Sequence, residues 1–305
     1  MGMARDSLAV VGFSYLVIFD ALGIFGEFVS NVIQVTPAFT ASNTKRPFGA
    51  QRYEIVLALG TTIYLLFVTM YTTKESLEHL LMEEAHENGS HHEKRHSGFG
   101  LFFVIFVGIL ASLVANVGLK NHGNLVKSKD LGSSLCNRAV LPRTPRSSGH
   151  LSQQSVLTSL LSNVYSAGIV GCGVVVMLFQ LLGLATPAID KFLAFGESAV
   201  MFYLGGPTAA ALAKLLLQTT PDTASDHITA RLHELRQEPN IISVDRAHFW
   251  QNSFGQNVGT LEVHVRPEAD EQAVLEFVYS KLEDLTAPRS ADGLQGELTV
   301  SILKQ

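Results

Sequence analysis

A single carboxylate lies in the middle of the first apolar segment of the chain. Residues 7–23 read SLAVVGFSYLVIFDALG, and Asp20 is the one charged residue among them. A charge at the centre of a bilayer costs roughly 2.5 kcal/mol or more, and such groups usually face a bundle interior and mark ion or proton pathways. Asp20 is therefore the first candidate functional residue, and its role depends on the polar groups that accompany it.

A second candidate is a loop rich in histidine and acid. The stretch HENGSHHEKRH contains four histidines, which are His86, His91, His92 and His96. Imidazole and carboxylate groups can bind zinc or copper weakly, whereas a flexible, solvated loop provides no fixed tetrahedron, so both interpretations remain open. The same loop contains the glycosylation sequon Asn88-Gly89-Ser90.

The composition narrows the class of protein. Of the 305 residues, 47% are apolar and 16% are charged, and the formal net charge is −5. This balance favours a membrane protein and argues against a nucleic-acid binder. The two cysteines, Cys136 and Cys172, form no CxxC pair and indicate neither a disulfide framework nor a thiolate zinc site. The sequence contains no P-loop, GxSxG or HExxH motif, so it indicates neither an ATP-driven pump nor an enzyme.

Five apolar segments are long enough to cross a bilayer as helices. They cover about residues 8–33, 55–71, 99–117, 156–184 and 192–217. The last one contains Gly205-Gly206-Pro207, where we expect a kink or an early end. The polar loop 119–155 is basic, whereas the loop 79–97 is acidic and rich in histidine. The positive-inside bias therefore places the basic loop and the C-terminus in the cytoplasm and the loop 79–97 in the lumen.

A soluble domain over residues 219–305 is predicted to follow the transmembrane domain of residues 1–218. Helical periodicity over 226–238 and 274–285 and strand patterns over 244–250, 261–266 and 298–302 predict an αββαβ order, a ferredoxin-like α+β fold. One dense aromatic group is a candidate dimer contact, with ordinary core packing as the alternative; it comprises His248, Phe249, Trp250 and Phe254.

Three stretches resemble, in their order, the cation diffusion facilitator family of zinc transporters. They are SLAVV at the start of a membrane helix, KRPFGAQRYE between helices, and LLLQTTPD before the tail. The tail segments HFWQNSFGQNVGTLEVHVRPEADEQAVL and LTVSIL resemble one branch, the non-transporting subunit of the heteromeric zinc transporter of the early secretory pathway in fungi and animals. Family members typically have six spans. The resemblance therefore implies that the five segments match family helices two to six, and that the chain comes from a late-starting gene model or a truncated form.

The resemblance also implies where a transport site would lie. In the family, two zinc ligands stand four residues apart on helix two and two more on helix five, so that each pair shares a helix face. Aligned on SLAVV and SLLSNVYSAGI, these positions are Leu16, Asp20, Ser159 and Asn163. Leucine cannot bind zinc, and neutral serine and asparagine are weak ligands for it, so this site is degraded. Asp20 is then either a structural group, protonated or hydrogen-bonded to Asn163, Ser159 or Tyr165, or a participant in proton or ion movement.

The degraded site within a family scaffold favours a non-catalytic subunit. The resemblance implies a heterodimer in the endoplasmic reticulum or Golgi membrane, in which a ligand-complete family member carries Zn²⁺ from the cytosol into the lumen. Zn²⁺ is then cargo of the complex, and no bound cofactor is expected. Two alternatives remain: an active zinc/proton antiporter with rebuilt ligands, such as Asp20 with Glu27 or luminal histidines, and a zinc-sensing membrane scaffold.

Overall fold

Long helices come first along the chain, and a small unit of helices and strands follows. The computed structural model describes residues 7–36, 51–85, 98–118, 163–184, 186–220, 222–253, 256–286 and 296–305. The helices of the first part are α1 (Leu8–Val35), α2 (Gln51–Ala85), α3 (Gly98–Gly118), α4 (Val164–Leu181) and α5 (Pro187–Leu216). The second part contains α6 (Asp222–Arg236), β1 (Ile241–Ser253), β2 (Gln256–Val265), α7 (Glu271–Thr286) and β3 (Glu297–Lys304).

Four helices are long and apolar enough to cross a membrane. The segments that qualify are Leu8–Ile33, Arg52–Leu81, Val164–Leu181 and Pro187–Leu216. In each of these segments, only 33–39% of the most apolar 18-residue stretch is buried inside the protein. Most of each helix surface therefore faces outward and suits lipid. The apolar stretch of α3, Gly100–Asn116, is shorter, and the fifth span stays a prediction.

Helix α2 extends well beyond the apolar segment 55–71 that predicted it. Helix α2 continues past residue 71 to Ala85, so residues 79–85 of the expected loop are helical. The reason is local: this part of α2 consists largely of good helix formers, and Lys74 and Glu78, four residues apart, form an ion pair of 2.9 Å. Of the expected fourth segment, the structure describes a helix from Val164 onward, and residues 156–162 lie outside the described residues.

Helix α5 does not break at Gly205-Gly206-Pro207 as expected. It begins at Pro187 after the N-cap Thr186 and continues through Pro207 to Leu216. Proline removes one backbone donor, but neighbouring helices and hydroxyl side chains can satisfy the freed groups in such bundles. Close packing supports the helix here, because a Cβ on Gly205 would lie 3.1 Å from Leu66 Cδ2 on α2.

Helix α1 is the centre of the bundle and contacts each of the other four long helices. One buried core lies between α1, α2, α4 and α5, and it includes Phe19, Leu65, Tyr165 and Met201. A second core joins α1 to α3 and α4 through Phe13, Ile105 and Val176. Any polar side chain on the inner face of α1 is therefore surrounded by helices.

The second part of the chain has the predicted order of elements and a three-stranded sheet. The strand order is β1-β2-β3, with β1 and β2 antiparallel and β2 and β3 parallel. The alternating positions of β2, Leu261, Val263 and Val265, are buried against α6 and α7 as predicted. Strand β1 is longer than predicted and contains irregularities, including one between Asp245 and His248.

The end of β1 contacts the helical bundle. Arg52, at the start of α2, donates from Nε to Asn252 Oδ1 at 3.2 Å. Asn252 and its neighbours Gln251 and Ser253 are each only 5–6% exposed. Buried polar groups of this kind need partners, so the junction between the sheet and the bundle is built partly from hydrogen bonds.

Candidate transport site

Asp20 is buried between α1 and α3. Its side chain is 3% exposed, and Oδ2 accepts a hydrogen bond from Asn116 Nδ2 at 3.2 Å. The same amide nitrogen donates to the backbone carbonyl of Ser112 at 2.7 Å, one turn earlier on α3. The bond to Ser112 lies within α3 and orients the amide, and the bond to Asp20 joins α1 to α3.

Asn116 is a partner that the sequence analysis did not identify. One alternative from the sequence was a hydrogen bond between Asp20 and Asn163, Ser159 or Tyr165, and the family alignment placed Ser159 and Asn163 at the site of Asp20. A signal was present, because Asn116 is a polar residue inside the apolar segment 99–117. Such residues in membrane helices commonly bond across to a neighbouring helix.

Leu16 lies one turn before Asp20 on the same face of α1. It is 0% exposed and packs in the core that contains Tyr165, Ile169 and Met201. The position therefore presents a branched hydrocarbon to other hydrocarbons. It offers no lone pair to a cation.

Asn163 caps α4 at its start. Its Oδ1 accepts from the backbone N–H groups of Tyr165 at 3.0 Å and Ser166 at 3.4 Å, the arrangement that N-cap residues favour. Asn163 therefore lies at the N-cap of the described helix, and Ser159 lies outside the described residues. The structure thus brings Leu16 and Asp20 together on α1 and assigns the oxygen of Asn163 to capping.

Tyr165 is fully buried in the core between α1, α2, α4 and α5. Its ring stacks on Phe19 with centroids 6.3 Å apart. Its hydroxyl forms a hydrogen bond with Thr208 Oγ1 on α5 and donates to Leu204 O at 3.4 Å. Tyr165 therefore connects α4 to α5.

The other predicted site residues fall into two groups. His86, Asn88, His91, His92, His96 and Phe254 lie outside the described residues. In the tail, Phe249 is 5% exposed, and its ring occupies the space that a side chain on Gly259 would need. The rings of His248 and Trp250 are 4.8 Å apart on the same strand. Phe249 thus occupies the core, and the dimer contact stays a prediction for the other two.

Two further acidic residues of α5 were missed by sequence analysis. Asp190 accepts from Ser7 Oγ at 2.8 Å and from the backbone N–H of Leu8 at 2.6 Å, and so holds the start of α1. Glu197 is 4% exposed in the same helix. The rule that drew attention to Asp20 applies equally to Glu197, an acid inside the predicted segment 192–217.

The described residues contain no ready-made metal centre. Within the eight described ranges, no three side chains of His, Cys, Asp or Glu converge on one point. Zinc prefers four such ligands in a tetrahedron. The described part of the bundle therefore contains single buried carboxyls rather than a ligand set.

The comparisons with known proteins agree with the helical architecture. The profile of the cation efflux transmembrane domain matches residues 4–217. Zinc transporter 6 of Danio rerio is 24% identical over 93% of this chain and 56% of its own length. Zinc transporter 6-B of Xenopus laevis is 24% identical, with 93% and 59% covered.

The similarity to the human relative covers almost the whole of this chain. Human zinc transporter 6 is 22% identical over 99% of this chain and 61% of its own length. The chain therefore spans between 56% and 61% of the length of these curated relatives. Because the domain profile covers well over half of the 305 residues, this chain belongs to the cation efflux, or cation diffusion facilitator, family of membrane transporters.

Proposed function

We propose that this chain is a non-transporting subunit of a zinc transporter. Its partner is a ligand-complete member of the same family, and the heterodimer moves Zn²⁺ from the cytosol into the lumen of the endoplasmic reticulum or Golgi. Membership of the cation efflux family and similarity to proteins named zinc transporter 6 support the cargo and the reaction class.

The observation that carries the proposal is the environment of Leu16 and Asp20. Leu16 is fully buried among apolar side chains, and the carboxyl of Asp20 receives an N–H from Asn116. A zinc ion at this level would face hydrocarbon on one side. On the other, it would have to displace a donor that carries partial positive charge. Since zinc requires several anionic or lone-pair ligands, this position favours helix packing over metal binding.

The proposal includes an arrangement in the membrane. The five long helices are the spans, with α3 as the third, and the tail of residues 219–305 lies in the cytoplasm as a ferredoxin-like domain. His248 and Trp250 are the proposed contact with the partner, since His248 is exposed, its ring lies against that of Trp250, and aromatic groups make efficient interface anchors. The subunit contributes a stable scaffold and a matching surface.

Zinc uptake into proteoliposomes tests the proposal. Three preparations are compared: this chain alone, a ligand-complete family member alone, and both co-expressed and purified together. We expect no flux from this chain alone. Flux by the pair should be unchanged when Asp20→Ala is introduced into this chain, once the folded fraction has been matched by size-exclusion chromatography.

The opposite pattern would overturn the proposal. Zinc flux by this chain alone, abolished by Asp20→Ala, would make Asp20 a ligand and support the antiporter with rebuilt ligands. If Asp20→Ala fails to fold, Asp20→Asn serves in its place, because the amide retains a carbonyl oxygen that can accept from Asn116. Failure of the two subunits to co-purify would argue against the heterodimer.

A further inference from the structure

A second buried carboxyl lies in the bundle without a hydrogen-bond donor. Glu197 is 4% exposed, and within the described part of the chain neither Oε1 nor Oε2 has a hydrogen-bond partner. Asp20 differs in this respect, because it accepts from Asn116. Glu197 lies ten residues after the start of α5, which is about 15 Å along the helix axis.

Four helices enclose this carboxyl. Oε2 lies directly against Cα of Gly12 on α1, so that any side chain at that position would collide with it, and Thr72 of α2 borders the same space. Cys172 of α4 interacts electrostatically with Glu197. We refer to Gly12, Thr72, Cys172 and Glu197 as the Glu197 site.

Within the described ranges, the groups that act on the Glu197 site supply no positive charge. The titratable groups that act on Glu197 are the Cys172 thiol from α4 and the Asp190 carboxyl from α5. From α1 and α2 it meets Gly12 and Thr72, which are uncharged, and the Thr72 hydroxyl donates to its own helix at Val68 O, 2.6 Å away.

An ionised carboxylate is strongly disfavoured in such surroundings. Burial of a charge without a counterion or hydrogen bonds is far more costly than burial of a neutral polar group. A nearby second carboxyl, Asp190, adds repulsion. A bound proton removes the charge and leaves a neutral acid that fits the tight contact with Gly12.

We propose that Glu197 is a proton-binding site of this chain, distinct from the Asp20 position. On release, the O–H bond of the carboxyl breaks, the proton passes to a water molecule that reaches the site, and a carboxylate remains; rebinding reverses these steps. Gly12 and Asp20 are eight residues apart on α1, or about 12 Å. The site therefore does not use the degraded transport position, and the inference holds whether or not this chain carries zinc.

We place the aqueous access for this proton at the end of the bundle where α1 and α5 begin, because half-buried Asp190 lies there. Asp190 and Glu197 are seven residues apart on α5, which places them on one face about 10 Å apart along the axis. Asp190 is only partly buried and binds the first residues of α1, Ser7 and Leu8. A proton that enters beside Asp190 would travel about two turns of α5 to reach Glu197.

Infrared difference spectroscopy of the full chain in lipid vesicles tests the site. The wild type should show a protonated-carboxyl C=O stretch that shifts in D₂O and decreases reversibly when the buffer is made alkaline. Glu197→Gln should lose this band completely, whereas Asp20→Asn and the exposed-site variant Glu78→Gln should retain it. Absence of the band from the wild type, or its persistence in Glu197→Gln, would overturn the proposal, as would a Glu197 band that responds neither to D₂O nor to pH.

A pair of glycine variants keeps the proposal testable if Glu197→Gln does not fold. Gly12→Ala places a methyl group against the carboxyl and should shift both the frequency of the band and the pH at which it titrates. The matched control is Gly171→Ala on α4, where a Cβ would meet nothing within 4 Å, and it should leave both unchanged. Identical spectra and titrations for the two alanine variants would show that the carboxyl is not at the Glu197 site.

Discussion

The hydrogen bond between Asn116 and Asp20 makes a quantitative prediction about the stability of the bundle. Asn116→Ala removes the amide that donates to Asp20 Oδ2 at 3.2 Å, at a position where Asp20 is only 3% exposed. The substitution also removes the bond of 2.7 Å to Ser112 O on the same helix. The Asp20 contact joins α1 to α3, whereas the Ser112 contact lies within α3, and the two effects can therefore be separated.

The size of the effect follows from the burial. Each buried hydrogen bond contributes about 0.5–1.5 kcal/mol, so the loss of two by Asn116→Ala should destabilise the bundle by about 2 kcal/mol. For domains of roughly 200 residues, each kcal/mol lowers the melting temperature by about 2–4 °C. The expected decrease is therefore about 4–8 °C. In an Asp20→Ala background the same substitution loses only the bond within α3, at a cost of about 0.5–1 kcal/mol.

The assay is a double-mutant cycle of thermal unfolding in detergent, followed by the fraction of protein that remains monodisperse. The four proteins are the wild type, Asn116→Ala, Asp20→Ala and the double variant. Asn31→Ala is the matched control, because Asn31 is exposed on α1 and exposed substitutions usually change stability by less than about 0.5 kcal/mol. The cycle should give a coupling of about 1 kcal/mol or more between Asn116 and Asp20.

One result would refute the reasoning. If Asn116→Ala lowers the melting temperature equally with and without Asp20, the carboxyl does not depend on this donor. Asp20 would then be free to take another role, and the packing argument for a non-transporting subunit would lose its main support.

Three further predictions concern other contacts. Asp190→Ala should destabilise the bundle by about 2 kcal/mol, because it removes a carboxylate that accepts two hydrogen bonds at the start of α1; the same melting assay measures it. Gly259→Ala should cost about 1–3 kcal/mol of tail stability, because the new Cβ would lie 2.6 Å from Phe249 Cε1, and fluorescence of the single tryptophan reports the unfolding. A hydrogen bond from Lys281 lowers the pKa of Glu234 below its ordinary 4.5, so the stabilisation is present at neutral pH and is lost as the pH falls through the lowered pKa. Glu234→Gln should therefore weaken the acid dependence of tail stability below pH 4.5 in the same fluorescence assay.

Asp20 and Glu197, both buried in the described part of the bundle, illustrate how position alone changes the chemistry of an acid. Asp20 meets an amide donor held by a neighbouring turn, and Glu197 meets Cα of a glycine and a thiol-bearing helix. The first arrangement stabilises the contact between two helices. The second disfavours the charged carboxylate and favours the neutral, protonated acid. The proteoliposome and infrared experiments address these two residues independently.

The sequence by itself determined the order of the helices and strands, and which face of strand β2 in the tail is buried. Its apolar segments located the long helices, although α2 and α5 extend further than hydropathy indicated. In the tail, strict alternation identified Leu261, Val263 and Val265 as core residues, and all three are buried. This succeeds because the inner face of a half-exposed strand is apolar and the outer face polar, so that the pattern itself carries the orientation.

Only the tertiary structure decided which polar groups meet inside the bundle. Lipid and protein interior are both apolar, so the hydropathy of a membrane helix does not distinguish its inner face from its outer face. Asn116 reaches Asp20 across 96 residues of sequence, and the Glu197 site draws on four separate helices. The sequence could mark Asp20 and Glu197 as costly charges, but the partner of one and the isolation of the other depend on how the helices pack.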